Sequence, residues 1–401
     1  MQPQPAQQQP DPGVVIVGAG PVGLWTAIQI KKRQPHLDVL MYERHETYQR
    51  SHVLRLEHRS MLLYGKNSRD EAERAFYKDV TGKSLSGVFM SAAGGKSVFI
   101  RTNDLEAALK NHAQALGIRI AQARVESANA LMAAHPRCKT FIAADGAHSK
   151  MRRDLLGEDA VEQKDLQHVV EVKYQAQGAA GHFSFLGGQH KTNLGLSHMA
   201  FEYVGREKEG LTPVTLRFFV DGDTYAGLPP ASFKEPLSAS DPRLPAGLAR
   251  DIQAYMDARR DHAGETCLKE SVKLTKLTLS TYAARKFAVQ RDGRCWYIVG
   301  DAAMGVPYFR ALNAGLITGS QLAYIVTREK LGNKARAIAY NALRPLDIGW
   351  EFAAARGKNA ALEAYDAFRQ ASAILLGRAP DDDAFTQLQS PDPKPRKPSS
   401  N

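Results

Sequence analysis

Three glycines at a fixed spacing carry the first chemical signal in this chain. In VVIVGAGPVGLWTA, Gly18, Gly20 and Gly23 follow the apolar run Val14–Val17 and lead into a stretch of helical character. A strand feeding a helix through such a turn suits a dinucleotide. Gly18 permits the tight turn, Gly20 lets a pyrophosphate approach the backbone, and Gly23 with Ala27 lets helix and strand pack closely. The helix N-terminus then offers amide donors and the positive end of its dipole to the phosphates. Glu43, twenty residues beyond Gly23 at the end of DVLMYE, is followed by Arg44. A carboxylate there can accept hydrogen bonds from ribose hydroxyls. Strand, turn, helix and acid together predict dinucleotide binding, where the glycines alone would equally suit a structural turn.

This fingerprint does not choose between nicotinamide and flavin dinucleotides, and two distant segments bear on the choice. They are AADGAHSKMR (143–152) and GDAAMGVPYFRALNAGL (300–316), each following an apolar run. With these motifs in this order, the chain resembles the single-component (class A, p-hydroxybenzoate hydroxylase-like) FAD-dependent monooxygenases. One motif of that family runs G-A-D-G-x-x-S-x-x-R. Ala144, Asp145, Gly146, Ser149 and Arg152 match it, and Ala143 replaces the leading glycine. The other ends a strand in Gly-Asp, and the resemblance makes Asp301 the residue on the flavin ribityl chain. Pro307 and Asn313 then belong to the loop and helix start beside the flavin's pyrimidine end. In FIRTNDLEAAL, Arg101 takes the place of a flavin-contacting arginine, whose fork suits a pyrophosphate.

The runs YQRSHVLRLEH, YGK and SVFIRTNDLEAALKNHAQALGIRI also look like the monooxygenase domain of MICAL proteins. That narrower likeness makes Arg50 and Arg55 candidates for flavin or active-site contacts, although Arg55 and Glu57 depart from its pattern. The family's glycine-rich loop after Gly-Asp is replaced here by Tyr308, Phe309, Arg310 and Ala311. Tyr308 and Phe309 are expected either to wall a substrate pocket or to fill a repacked loop. Arg310 is a candidate for an anionic substrate or the nicotinamide cofactor, or a solvated charge.

The resemblance implies FAD as bound cofactor and NAD(P)H as a reductant that binds transiently, since no second glycine fingerprint is present. It implies a monooxygenase that transfers one oxygen atom of O2, through a flavin hydroperoxide, to an organic or protein-bound substrate. Two other readings remain: an FAD-dependent oxidoreductase without oxygen insertion, of the saturase-like kind, and a flavin-binding redox sensor or partner-binding protein. The halogenase motif W-x-W-x-I-P is missing. The histidines show no metal-ligand spacing beside a carboxylate cluster, so no metal is expected.

These residues must be positioned by an α/β fold: an FAD-binding Rossmann-like (GR2-type) domain with an inserted β-rich substrate domain and C-terminal helices. The FAD-binding domain is expected over 13–65, 100–165 and 286–333. The β-rich domain is expected over 66–99 and 166–285, with His182, Phe183, Phe185, Tyr203, Phe218 and Tyr225 as possible pocket liners. Two or three C-terminal helices are expected over 334–378. Gln/Pro-rich 1–12 and Pro/Asp/Ser-rich 379–401 are expected to be disordered. A net charge of +11 without a long basic block mildly favours an anionic, carrier-bound or protein-bound substrate and does not suggest nucleic acid. The longest apolar runs fall short of the ~20 residues of a membrane helix. No leader opens the chain, and Cys138, Cys267 and Cys295 lack C-x-x-C spacing, so a cytoplasmic location is expected.

Overall fold

The computed structural model describes residues 11–46, 53–62, 69–82, 89–90, 96–181, 195–205, 207–307 and 310–375. The tails 1–10 and 376–401 lie outside them, so the disorder expected there has no structural counterpart. In chain order the elements are β1 (Val14–Val17), α1 (Pro21–Arg33), β2 (Val39–Glu43), β3 (Val53–Glu57), α2 (Glu71–Thr81), β4 (Phe89–Met90), β5 (Lys96–Arg101), α3 (Thr102–Ala115), β6 (Arg119–Gln122), α4 (Ala128–Ala134), β7 (Thr140–Ala143), α5 (Lys150–Leu156), β8 (Val161–Gln177), β9 (Met199–Val204), β10 (Leu211–Val220), α6 (Gly222–Gly227), α7 (Ala246–Ala263), β11 (Thr266–Cys267), β12 (Lys273–Ala284), β13 (Ala288–Arg291), β14 (Arg294–Ile298), β15 (Met304–Gly305), α8 (Arg310–Val326) and α9 (Asn333–Leu375). They divide into two units, one within Met1–Asp165 and Ser280–Arg356, the other within Leu166–Leu279 and Gly357–Asn401.

The first unit is built on a sheet of order β13-β14-β7-β1-β2-β6. All neighbours are parallel except the antiparallel edge strand β13. Val14 pairs with Val39 on one side and Thr140 on the other, which puts β1 in the middle. A central parallel strand is covered on both faces, and this is why its four residues are all buried and read as an unbroken apolar run. Helix α1 begins with Pro21 at its first position and ends on Lys31, Lys32 and Arg33, each placed where the helix terminus favours it.

Helices α1 and α8 close on each other through small residues. A Cβ at Gly315 would stand 2.6 Å from Val22 Cγ2, and one at Gly319 would stand 2.4 Å from Thr26 Oγ1. Four residues apart, these glycines share one helix face. Buried Trp25 donates its indole N–H to Ser320 Oγ at 2.8 Å, which fixes the register of the pair.

Helix α3 buries Leu105, Leu109 and Ala113, whose four-residue spacing sets them on one face. Of residues 66–99, expected in the β-rich domain, those described belong instead to the first unit. The reason is the apolar face of α2. Phe76, Tyr77 and Val80 join the core of that unit, and Phe76 stacks on Trp25 with ring centroids 6.0 Å apart. Beyond α2, β4 and β5 form a small antiparallel sheet with β3, in the order β3-β5-β4.

The second unit is the β-rich one. Its strands run in the order β12-β8-β10-β9, with β11 also paired to β8. β10 alternates strictly, burying Thr212, Val214, Leu216, Phe218 and Val220. That face meets Leu248, Ile252 and Tyr255 of α7 in one core. The two or three helices expected over 334–378 are a single helix, α9, which continues through Pro345, Gly349 and Gly357. Among the described residues no helix is long and apolar enough to cross a membrane.

Candidate functional site

The glycine turn lies at the carboxyl end of central strand β1, where open parallel sheets bind ligands. Gly18 has φ +101° and donates its N–H to Tyr42 O at 2.8 Å. A Cβ on Gly18 would stand 2.4 Å from Ala144 O, and one on Gly23 would stand 2.2 Å from Gly18 O. Both positions therefore require glycine for backbone packing. Gly20 is the N-cap of α1, with no acidic residue in the first turn behind it. Glu43, at the end of β2, faces this turn: one carboxylate oxygen accepts from the Ala19 N–H at 2.8 Å, the other from the His45 N–H at 2.9 Å. Amide donors at a helix start and an accepting carboxylate at the end of the next strand are the combination that fits a dinucleotide.

The second motif meets the first directly, since a Cβ on Gly18 would run into the backbone of Ala144 and Asp145. Asp145 is turned onto its own helix. One oxygen accepts from Ser149 Oγ and the other from the Met151 N–H at 3.1 Å, so the carboxylate caps α5. Gly146 takes φ +87° beside it, in open space. Buried Arg152 reaches out of α5 in two directions: it donates to Ala147 O at 2.9 Å and to Ala302 O at 2.7 Å. The Ala302 bond joins the second motif to the Gly-Asp turn.

That turn is a single 3-10 turn, Gly300–Ala302. Gly300 has φ +64°, and a Cβ there would stand 2.9 Å from Val22 Cγ1, inside the first turn of α1. Asp301 is half-buried, and its carbonyl accepts the Tyr282 hydroxyl at 2.8 Å. Tyr282 lies so close to Gly305 that a Cβ there would stand 2.1 Å from its ring. Sequence reasoning missed Tyr282, because nothing local in β12 marks a residue whose partners follow on a later turn.

Asn313, in the first turns of α8, holds β3. Its Nδ2 donates to Arg55 O at 2.7 Å, and its Oδ1 accepts from the Glu57 N–H and from Ser60 Oγ, each at 2.8 Å. The amide thus acts like a neighbouring strand. Arg55 donates to Glu57 Oε1 at 2.8 Å, and Arg59 pairs with Glu57 Oε2 at 2.7 Å. Burial by itself would raise the Glu57 carboxyl, but its bonds to Arg55 and Arg59 outweigh that and hold it below its ordinary value. A carboxyl depressed in the folded state stabilises above its unfolded value, about 4.3, and loses that stabilisation as pH falls through the lower folded value. Both arginines are partly exposed, so the pairs are worth only about 0.5–1 kcal/mol. Glu57→Gln is therefore expected to lose about 0.5–1 kcal/mol at neutrality and to converge with the parent as pH falls below about 4.5, which flattens the acid limb of melting temperature against pH; an unchanged acid limb would contradict this.

Other expected site residues are scattered. Arg44 is exposed, and Arg101 is the N-cap residue of α3, with its backbone paired to Val53. Arg310, a candidate for an anionic substrate, the nicotinamide cofactor or a solvated charge, closes its fork on Glu351, with contacts of 2.6 and 3.1 Å. Pro307 lies in the turn before α8, while Tyr308, Phe309, Arg50, His182, Phe183 and Phe185 fall outside the described residues. Phe218, expected as a pocket liner, is in the core of the second unit against Tyr255, because α7 covers its face of the sheet. Tyr203 is exposed with Arg217 over its ring at 4.8 Å, and Tyr225 stacks on His168 at 4.3 Å. Among the described residues no group of three or more His, Cys, Asp or Glu is placed to hold a metal ion.

No family model and no curated protein matches the chain. Solved structures do. The tetrameric form of 2-methyl-3-hydroxypyridine-5-carboxylic acid oxygenase is 15% identical, with a TM-score of 0.53 over 88% of this chain and 92% of that one. CtdE in complex with FAD and a substrate is 15% identical, with a TM-score of 0.55 over 86% of this chain and 88% of that one. The Diels-Alderase PyrE3 is 15% identical, with a TM-score of 0.56 over 94% of this chain and 78% of that one. At such identities the likeness speaks for architecture, and it agrees with the parallel sheet, the glycine turn and the additional β-rich sheet described above. The chain has the α/β fold, with a Rossmann-like parallel core and an added sheet, of the pyridine-carboxylate oxygenase and of FAD-holding CtdE.

Proposed function

We propose that this protein is an FAD-dependent monooxygenase that consumes NAD(P)H and O2. The observation that carries the reading is the convergence of three motifs far apart in sequence. Gly18 is packed on Ala144, Val22 lies against both Gly300 and Gly315, and Arg152 is bonded to the Gly-Asp turn. A purely structural glycine turn would not need the other two segments. In this reading the α1 N-terminus binds the pyrophosphate, Glu43 accepts from the ribose, and Asp301 meets the ribityl chain. Arg101 would add a pyrophosphate contact. The start of α8, with its dipole, would lie at the pyrimidine end of the ring and favour its anionic reduced form. When bound, FAD supplies the electron transfer from NAD(P)H and the activation of O2. The chain's own residues orient the cofactor and exclude water.

The substrate is proposed as an organic or protein-bound group. PyrE3, a Diels-Alderase with a similar fold, keeps a non-oxygenating FAD protein as the second reading. The absorption spectrum of the purified protein, and its response to NADPH in air, test the proposal. A flavin spectrum that bleaches and recovers with peroxide release, and with oxygen uptake that a substrate stimulates, is the expected result. A flavin that NADPH leaves oxidised favours the second reading. A protein that takes up no FAD overturns both.

A further inference from the structure

The Gly-Asp turn has little structure of its own. It is a short 3-10 turn closed by the bond from the Ala303 N–H to Gly300 O at 2.8 Å, and so brief a turn leaves its later carbonyls to other partners. Two side chains take them. Tyr282 donates its hydroxyl to Asp301 O at 2.8 Å, and buried Arg152 donates to Ala302 O at 2.7 Å. A peptide unit is planar, so a bond to its carbonyl stops the whole plane from rotating. With Gly300 O taken by Ala303, both peptide planes that flank the Asp301 Cα are tied, and the direction of its Cα–Cβ bond is set. From Gly300 to Val306 every residue except Asp301 is buried. The turn is therefore built to present one side chain.

Tyr282 is itself held along its length. Its backbone pairs antiparallel with Gly305 of β15, and the Ala284 N–H donates to Ala303 O at 2.7 Å. The Arg152 guanidinium stands 5.7 Å from the centre of its ring, within cation–π reach. One side chain thus spans this segment, with its ring against Gly305 and its hydroxyl on Asp301. Packing against Gly305 requires the ring alone; the hydroxyl adds the tie to Asp301. We propose that Tyr282 is a positioning residue for the flavin, aiming the Asp301 carboxylate through the Asp301 carbonyl. This rests on the reading of the protein as FAD-binding, in which Asp301 meets the ribityl chain.

Tyr282→Phe keeps the ring and removes the hydroxyl, so the apoprotein should keep its circular dichroism spectrum. FAD titrated into that apoprotein, followed by its fluorescence, is expected to bind about 2–10-fold more weakly, the worth of one hydrogen bond. The midpoint potential of bound FAD should rise, as it should in Asp301→Asn, because a carboxylate held beside the cofactor opposes the added negative charge of the reduced ring. In the Asp301→Asn background, Tyr282→Phe should change neither affinity nor potential further, since the two residues act as a unit. An affinity or a potential that Tyr282→Phe leaves at the parent value overturns the proposal, as do losses in the two variants that simply multiply. A parent chain that takes up no FAD overturns instead the reading of the site on which the proposal rests.

Discussion

Gly23→Ala is expected to lower the melting temperature by roughly 4–8 °C and to reduce the FAD retained on purification. Two effects oppose one another at this position. Gly23 lies within α1, where alanine is the better helix former by up to about 1 kcal/mol. Its Cβ, however, would stand 2.2 Å from Gly18 O and 3.2 Å from Ala144 Cβ. The first contact is with backbone of the turn itself, which cannot rotate away, so the helix must shift outward. Overpacking of that kind costs about 3 kcal/mol, and the net loss of about 2 kcal/mol or more converts at 2–4 °C per kcal/mol. The same shift moves the helix N-terminus proposed to hold the phosphates. Gly247→Ala is the control: a Cβ there meets nothing within 4 Å, so its melting temperature should not fall. Equal behaviour of the two variants in thermal unfolding would refute the packing argument.

Arg259→Met should destabilise the second unit by about 3–5 kcal/mol, the usual cost of leaving buried charges unpaired. Arg259 is fully buried and ties together Glu202, Glu265 and the carbonyl of Gly181. Tyr255 donates to Glu202 and Tyr174 to Glu265, so both carboxylates are embedded in one network under the sheet. Methionine fills similar space, and the loss therefore reports electrostatics rather than a cavity. Adding Glu202→Gln and Glu265→Gln to Arg259→Met should recover a substantial part of the loss, since neutral amides are cheaper to bury than unpaired carboxylates. Urea unfolding followed by tyrosine fluorescence reads this out. A single variant within about 1 kcal/mol of the parent would show that the carboxylates take up protons or water instead.

The glycine turn and the place of Glu43 at the end of the next strand were legible because both are local: spacing and residue type suffice within one strand–turn–helix–strand unit. Phase and partners were less legible. In VTLRFFVDG, alternation shows that Phe218 and Phe219 point to opposite faces but not which face is covered. Helix α7 decides it, and Phe219 is left against Phe201 on the other side, with ring centroids 5.6 Å apart. The Asn313 clamp was hidden for a similar reason. Its hydrogen-bond partners lie more than 250 residues away, and a helix-starting Asn reads the same with or without them. Helix α9 misled through Pro345, Gly349 and Gly357, residues that ordinarily punctuate. The Ala-, Leu- and Arg-rich stretches around them favour helix strongly enough to carry it through.

The place of β14 in the main sheet has a consequence for biosynthesis. Thr140 of β7 pairs with Cys295 of β14, so one edge of β7 has no strand to bond until more than 150 further residues have been made. A ribosome adding about 5–20 residues per second leaves that edge open for roughly 8–30 s. In that interval the nascent chain can complete β7-β1-β2-β6 and the Leu166–Leu279 part of the second unit, yet it presents an unpaired apolar strand to any other extended segment. The Gly-Asp turn arrives only just after β14. The proposed nucleotide cradle is therefore finished only about 280 residues after its first glycine, Gly18, has been made.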